Sequence, residues 1–158
     1  MCPRRCVRWA RAGGTSPRIA SQQLIIELID AYGKKCTPAL LKAIGARLDE
    51  ATTLKASASA HWWRLKEATL LCLGLAAPVL GRAASAASKK GEAPLIRPEQ
   101  VTRDLLLPDV AAAAPPLLRA RALSTAARLS PHVPAEVVSQ LLVACRTDAD
   151  ESLAHSCA

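Results

Sequence analysis

Apolar residues recur along this chain at helical spacing, and no stretch alternates polar and apolar long enough to suggest a strand. Ile25, Leu28, Ile29 and Tyr32 follow the i, i+3, i+4, i+7 pattern of one buried face. Leu41, Ile44, Leu48 and Ala51 repeat it, as do Leu65, Ala68, Cys72 and Leu75, with Leu71 widening that stripe. Val138, Leu141, Leu142 and Cys145 form a last one. The pattern predicts helices over residues 17–32, 38–56, 61–77, 98–107, 116–130 and 135–147, with a seventh opening near Asp150.

Punctuation supports these starts. Ser16-Pro17 and Thr37-Pro38 each place a hydroxyl N-cap before a proline at the first helical position, where the missing N–H would have been unpaired anyway. Arg97-Pro98-Glu99 and Val133-Pro134-Ala135-Glu136 repeat the proline start with an acid in the first turn, which the helix dipole favours. Residues 81–97, rich in Ala, Ser and Gly around Lys89 and Lys90, read as a flexible loop.

The helices fall into similar pairs. Segments opening at Arg18, Arg64 and Arg119 carry small and aliphatic residues at matching offsets, 46 and then 55 residues apart. The pairs span about 17–56, 61–107 (with the 81–97 loop) and 116–147, and residues 150–158 open a further unit. Helix pairs recurring at roughly 40–47 residues have the spacing of HEAT and armadillo arrays, in which stacked neighbours bury a continuous core. The expected fold is therefore all-α: an α-solenoid of about three HEAT-type hairpins in a right-handed superhelical stack. The apolar pattern is still running at Ala158, so a piece of a longer array is expected.

Composition narrows the core. Hydrophobic residues make up 51% of the 158 residues but aromatics only 3%, with no Phe, so Leu, Ile, Val and Ala must fill it. The net charge of +8 is concentrated in the acid-free first 20 residues, where five arginines (Arg4, Arg5, Arg8, Arg11, Arg18) leave only +3 for the remainder. That is a basic leader (residues 1–15) on a near-neutral body, which argues against direct nucleic-acid binding by the folded part. The leader resembles an organelle transit peptide in being Arg-rich, but it lacks the apolar core of a secretory signal. The longest uncharged run, Ala68 to Gly81, is 14 residues and is interrupted by Pro78, short of the roughly 20 that cross a bilayer. No membrane partner is expected.

Six scattered cysteines fit reduced thiols better than a disulfide framework. His61, His132 and His155 lack metal-ligand spacing, and Cys2-x-x-x-Cys6 is an isolated pair. No phosphate-binding loop or Ser/His/acid arrangement can be assembled. No catalytic residue, metal or cofactor is expected, so the chain reads as a binding protein rather than an enzyme.

One stretch is more specific. Trp63-Arg64-Leu65-Lys66-Glu67-Ala68, followed by Leu71 and by Leu73-Gly74, resembles the Trp-x-x-Arg-Glu-Ala-x-x-x-x-Leu-Gly helix of the importin-β (karyopherin-β) family of nuclear transport receptors, with Lys66 in the place of the arginine. Arg121-Ala122-Leu123 and Ala126-Ala127-Arg128 are similar to a second helix of that family, although Ser124 and Thr125 stand where a tryptophan is expected. The likeness covers about residues 17–158. It implies first helices on the convex side of a superhelix and second helices on the concave side. Trp63 would wedge between repeats, Ala68 and Gly74 would allow close helix approach, and Lys66 and Glu67 would pair at the repeat edge. The resemblance further implies traffic between cytoplasm and nucleus, with basic protein cargo such as histones or ribosomal proteins, the small GTPase Ran and nuclear pore proteins as partners. Asp49, Glu50, Asp104, Asp109 and Glu136 on the second helices are the candidate cargo-facing acids, and they equally fit ordinary solvated helix faces. A HEAT scaffold with no transport role is the alternative.

Overall fold

The structure, a computed structural model, describes residues 16–111 and 113–156. The basic leader (1–15) and the Cys2/Cys6 pair lie outside the described residues. Within them the chain is helical, with no strand.

Helix α1 (Pro17–Tyr32) starts as the sequence predicts, with the Ser16 hydroxyl accepting from the Ile19 amide and Pro17 in the first turn. Gly33, at φ +49°, ends it. Helix α2 (Thr37–Ala56) starts differently from expectation. Thr37 is already helical and its hydroxyl donates back to the Gly33 carbonyl at 3.3 Å, closing the turn between α1 and α2 instead of capping α2.

Helix α3 (Trp62–Lys90) corrects the expected 61–77 helix and 81–97 loop. Its 29 residues run straight through Pro78 and through Ala83, Ala84, Ala86 and Ala87 before stopping at Gly91, whose φ of +71° is left-handed. The alanines explain the extension, because Ala has the strongest helix preference of any residue. Lys89 and Lys90 in the last turn suit the negative end of the helix dipole. The loop shrinks to residues 91–97. With that length, α3 is by composition apolar enough to cross a bilayer, contrary to the sequence reading. Here Leu70, Leu73, Ala77 and Leu80 are instead covered by neighbouring helices, as in the central helix of a core.

Helix α4 is composite: Pro98–Gln100 passes through a π-helical stretch, Val101–Leu106, into Leu107–Val110. The expected end at 107 anticipated a break at Pro108. The wider π turn lets the Leu107 amide reach the Thr102 carbonyl, and the helix continues past the proline. Helix α5 (Pro116–Leu129) ends in a 3₁₀ turn, Ser130–His132. Helix α6 (Ala135–Ser156) runs on where a separate helix from Asp150 was expected.

The most extensive contacts join α3 to α5 and α2 to α3, between the expected pairs rather than within them. Small residues account for this. Gly74 and Ala77 of α3 and Ala122 and Ala126 of α5 are all buried, and they let the two backbones come near. Leu106 and Val110 of α4, Leu118 and Leu129 of α5 and Leu141 of α6 complete the core. Each fully buried leucine is worth about 1.5–3 kcal/mol.

Candidate functional site

The residues of the Trp63–Gly74 segment form a polar seam along α3. Glu67 is buried, and its Oε1 accepts from Arg121 Nε of α5 at 2.8 Å and from the Arg18 guanidinium of α1. One carboxylate thus ties three helices together. One turn on, the Thr125 hydroxyl donates to the Leu70 carbonyl at 3.0 Å, and a turn further Arg128 Nη1 donates to the Gly74 carbonyl at 3.4 Å. The partners rise together along both helices (67 with 121, 70 with 125, 74 with 128), so α3 and α5 run parallel.

This ladder answers a need created by Pro78. A proline cannot supply the amide that would bond to the carbonyl four residues earlier, here Gly74, and Arg128 supplies a donor instead. Gly74 also lies close to α5, since a Cβ there would lie 3.1 Å from Thr125 Oγ1.

Beside Glu67, Lys66 pairs with Asp109 of α4 at 2.7 Å. Asp109 is 4% exposed, so it does not present its charge to a partner, and its expected cargo-facing role is corrected. Its pairing with Lys66 across two helices buries it, a long-range contact that the local pattern does not announce. Asp109 Oδ2 has no hydrogen-bond partner among the described residues.

Trp63 is half-buried against the core, with the Arg64 guanidinium 5.4 Å from its ring centroid. Trp62 is similarly placed, under Lys55 Nζ at 4.7 Å. These are packing positions with cations stacked on their open faces. Two residues depart from the expected packing motif. Ala68 is exposed and brings no helix close, and Leu123 is 38% exposed at the edge of the core. The close-approach role belongs to Gly74 alone of the two small residues proposed for it. Leu71 is half-buried.

Two grooves flank this seam. Between α1, α3 and the start of α5, Ile25, Trp63, Ala68, Leu71, Cys72 and Leu117 line an apolar cavity of about 440 Å³, rimmed by Arg18, Arg64 and Glu67. Burial pushes the Cys72 thiol up from its ordinary pKa, a backbone hydrogen bond pulling the other way. Between α2 and α4, Leu48 of α2 and Leu95, Ile96, Val101 and Leu105 line a cavity of about 470 Å³ that also takes in Asp104 and Arg97. Asp49 and Glu50 follow Leu48 and are exposed, with Glu50 paired to Arg47. The structure therefore brings Asp104 to a groove that Leu48 shares, while Glu136, exposed at the start of α6, does not line it.

Arg18 and Thr125 are the residues whose part in the seam the sequence reading did not assign. Arg18 was visible as the matching start of three segments. Thr125 was visible only as a small polar residue in a position expected to be aromatic. Among the described residues no three His, Cys, Asp or Glu side chains gather closely enough to hold a metal ion.

No family model matches this chain, and no solved structure matches it significantly.

Proposed function

We propose that this chain is a segment of an importin-β type nuclear import receptor, stacked as HEAT repeats, that carries basic protein cargo under the control of Ran. The observation that supports the reading is the Glu67 tie. It joins the first helices of all three units, with α3 and α5 parallel, and parallel first helices are what consecutive repeats of a solenoid stack side by side. The Trp63–Gly74 motif lies along that tie. In this reading, the groove between second helices, with Asp104 inside it and Asp49 and Glu50 on the adjoining helix, faces cargo; basic ligands are steered there by the acids. The groove between first helices offers an apolar slot of side-chain size to pore proteins.

Titration of the purified chain with a core-histone heterodimer at two salt concentrations tests this. Saturable binding that weakens with salt, and that falls at least several-fold in D49N/E50Q/D104N, is the expected result. Absence of binding by a chain shown helical by circular dichroism rejects cargo contact in this segment and leaves the scaffold reading.

A further inference from the structure

We propose that Ser85 is a phosphorylation site, and that its phosphate is received by Lys89, Arg97 and His132 in a cavity at the C-terminal end of α3. The sequence there reads Arg82-Ala83-Ala84-Ser85, a basic residue three positions before a serine. Kinases select substrates partly by such charge patterns, and basophilic serine kinases read a cation at this offset. Arg82 and Ser85 are both exposed.

The surroundings fit the product. Ser85 lines a cavity of about 750 Å³ together with Lys89, Arg97 and His132. Its Oγ lies 3.4 Å from His132 Nδ1. The imidazole packs directly over the α3 backbone: a Cβ on Gly81 would sit 2.0 Å from His132 Cδ2, so glycine leaves the room that the ring occupies. Arg82 and Lys89 flank Ser85 at i−3 and i+4 on one helix face. Neither Lys89 nor Arg97 makes an ion pair among the described residues. Two acids also line the cavity. Glu99 is engaged by Arg103 at 3.2 Å, leaving Glu92 to oppose an incoming anion.

A phosphoserine carries about −1.5 to −2 charges at pH 7 and three acceptor oxygens. Glu92 and the negative end of the α3 dipole disfavour it, but each is met by more than one cation or donor: Arg82, Lys89, Arg97 and His132. In the transfer, Ser85 Oγ attacks the γ-phosphorus of a nucleoside triphosphate held by the kinase. The bond from that phosphorus to the bridging oxygen breaks, the diphosphate leaves, and the hydroxyl proton passes to the kinase's base. The last turns of α3 must open for this. They bury little beyond Gly81 and Ala84, so the opening is local. Afterwards the phosphate links α3 to the Ser130–His132 turn and to Arg97, clamping the end of the helix.

The test treats the full chain with a basophilic serine/threonine kinase and MgATP, then maps sites by mass spectrometry and records thermal midpoints. In an S21A/S124A background, which removes the two other serines standing three positions after an arginine, we expect one phosphate on Ser85, lost in S85A, retained in S88A and reduced at least about tenfold in R82A. The phosphoprotein should melt about 2–4 °C higher, and the rise should vanish in R97A and in H132A. An unmodified Ser85, with the kinase active on a control peptide, overturns the proposal. So does a phosphoprotein whose midpoint is unchanged or lower.

Discussion

Gly74 of α3 faces Thr125 of α5 so closely that a Cβ on the glycine would lie 3.1 Å from the threonine Oγ1. Two effects compete in Gly74→Ala. Alanine gains about 1 kcal/mol of helix preference over glycine. Against this, the new methyl presses on a hydroxyl that is buried and donating to Leu70, and the Thr125 Cα behind it is only 3.7 Å away. Thr125 has little room to give, so G74A should destabilise the protein by about 1 kcal/mol, through the weakened hydrogen bond. In a T125A background the obstruction is gone and the same substitution should stabilise. Urea unfolding of the four proteins of this cycle measures both signs.

The two arginine partners of Glu67 are not equivalent. The Arg18 side chain is 52% exposed, and an exposed ion pair is worth about 0–1 kcal/mol. Arg121 is 24% exposed and Glu67 only 10%, so this pair is largely desolvated. We expect R18A to cost under about 1 kcal/mol. E67A, which leaves Arg121 without its carboxylate deep in the seam, should cost about 3 kcal/mol. A double-mutant cycle on Glu67 and Arg121 should return a coupling several times that of Glu67 and Arg18. Equal couplings would mean that burial does not decide the strength of this tie.

These two sites show what the sequence could and could not supply. The helical period gave the all-α class, proline punctuation the starts at Ser16-Pro17 and Pro98, and the family resemblance singled out Glu67 and Gly74. The helical period could not give the length of α3, because Pro78 and Gly81 are breakers by local rules. Tertiary contacts neutralise both: Arg128 donates to the carbonyl that Pro78 orphans, and His132 fills the space above Gly81. The burial of Asp109 was illegible for a related reason: it rests on a pair with Lys66 of another helix, 43 residues away, which no local pattern shows.

Gly81 and His132 make a second cycle with a different expected sign. A methyl at 81 cannot coexist with the ring, but the imidazole is the end of a side chain on a surface turn and can swing away. Gly81→Ala should therefore eject His132, break its contact with Ser85 and gain helix preference, leaving stability within about 0.5 kcal/mol of wild type. In H132A the same change should stabilise by about 1 kcal/mol. The ejection itself is visible as a shift of the His132 ring resonances toward those of an exposed histidine in the G81A spectrum.

Cys72 provides a pH dependence. Burial disfavours its thiolate in the folded protein, so its folded pKa lies above the unfolded one. Below the unfolded pKa both states keep the proton, and the shift has no effect on stability. As pH rises through the unfolded value, the unfolded chain releases its proton first and is favoured, so stability falls until the folded pKa is passed. Cys72→Ala removes this portion of the alkaline loss, and the difference between the two proteins should grow from pH 8 upward. The same shift protects the thiol chemically. Site-resolved alkylation at pH 8 should be slower at Cys72 in the folded chain than in the chain unfolded by urea, because the thiolate is the reacting species. Equal rates at this site would show that the groove floored by Cys72 is open to water, and the apolar slot between the first helices would lose its main physical support.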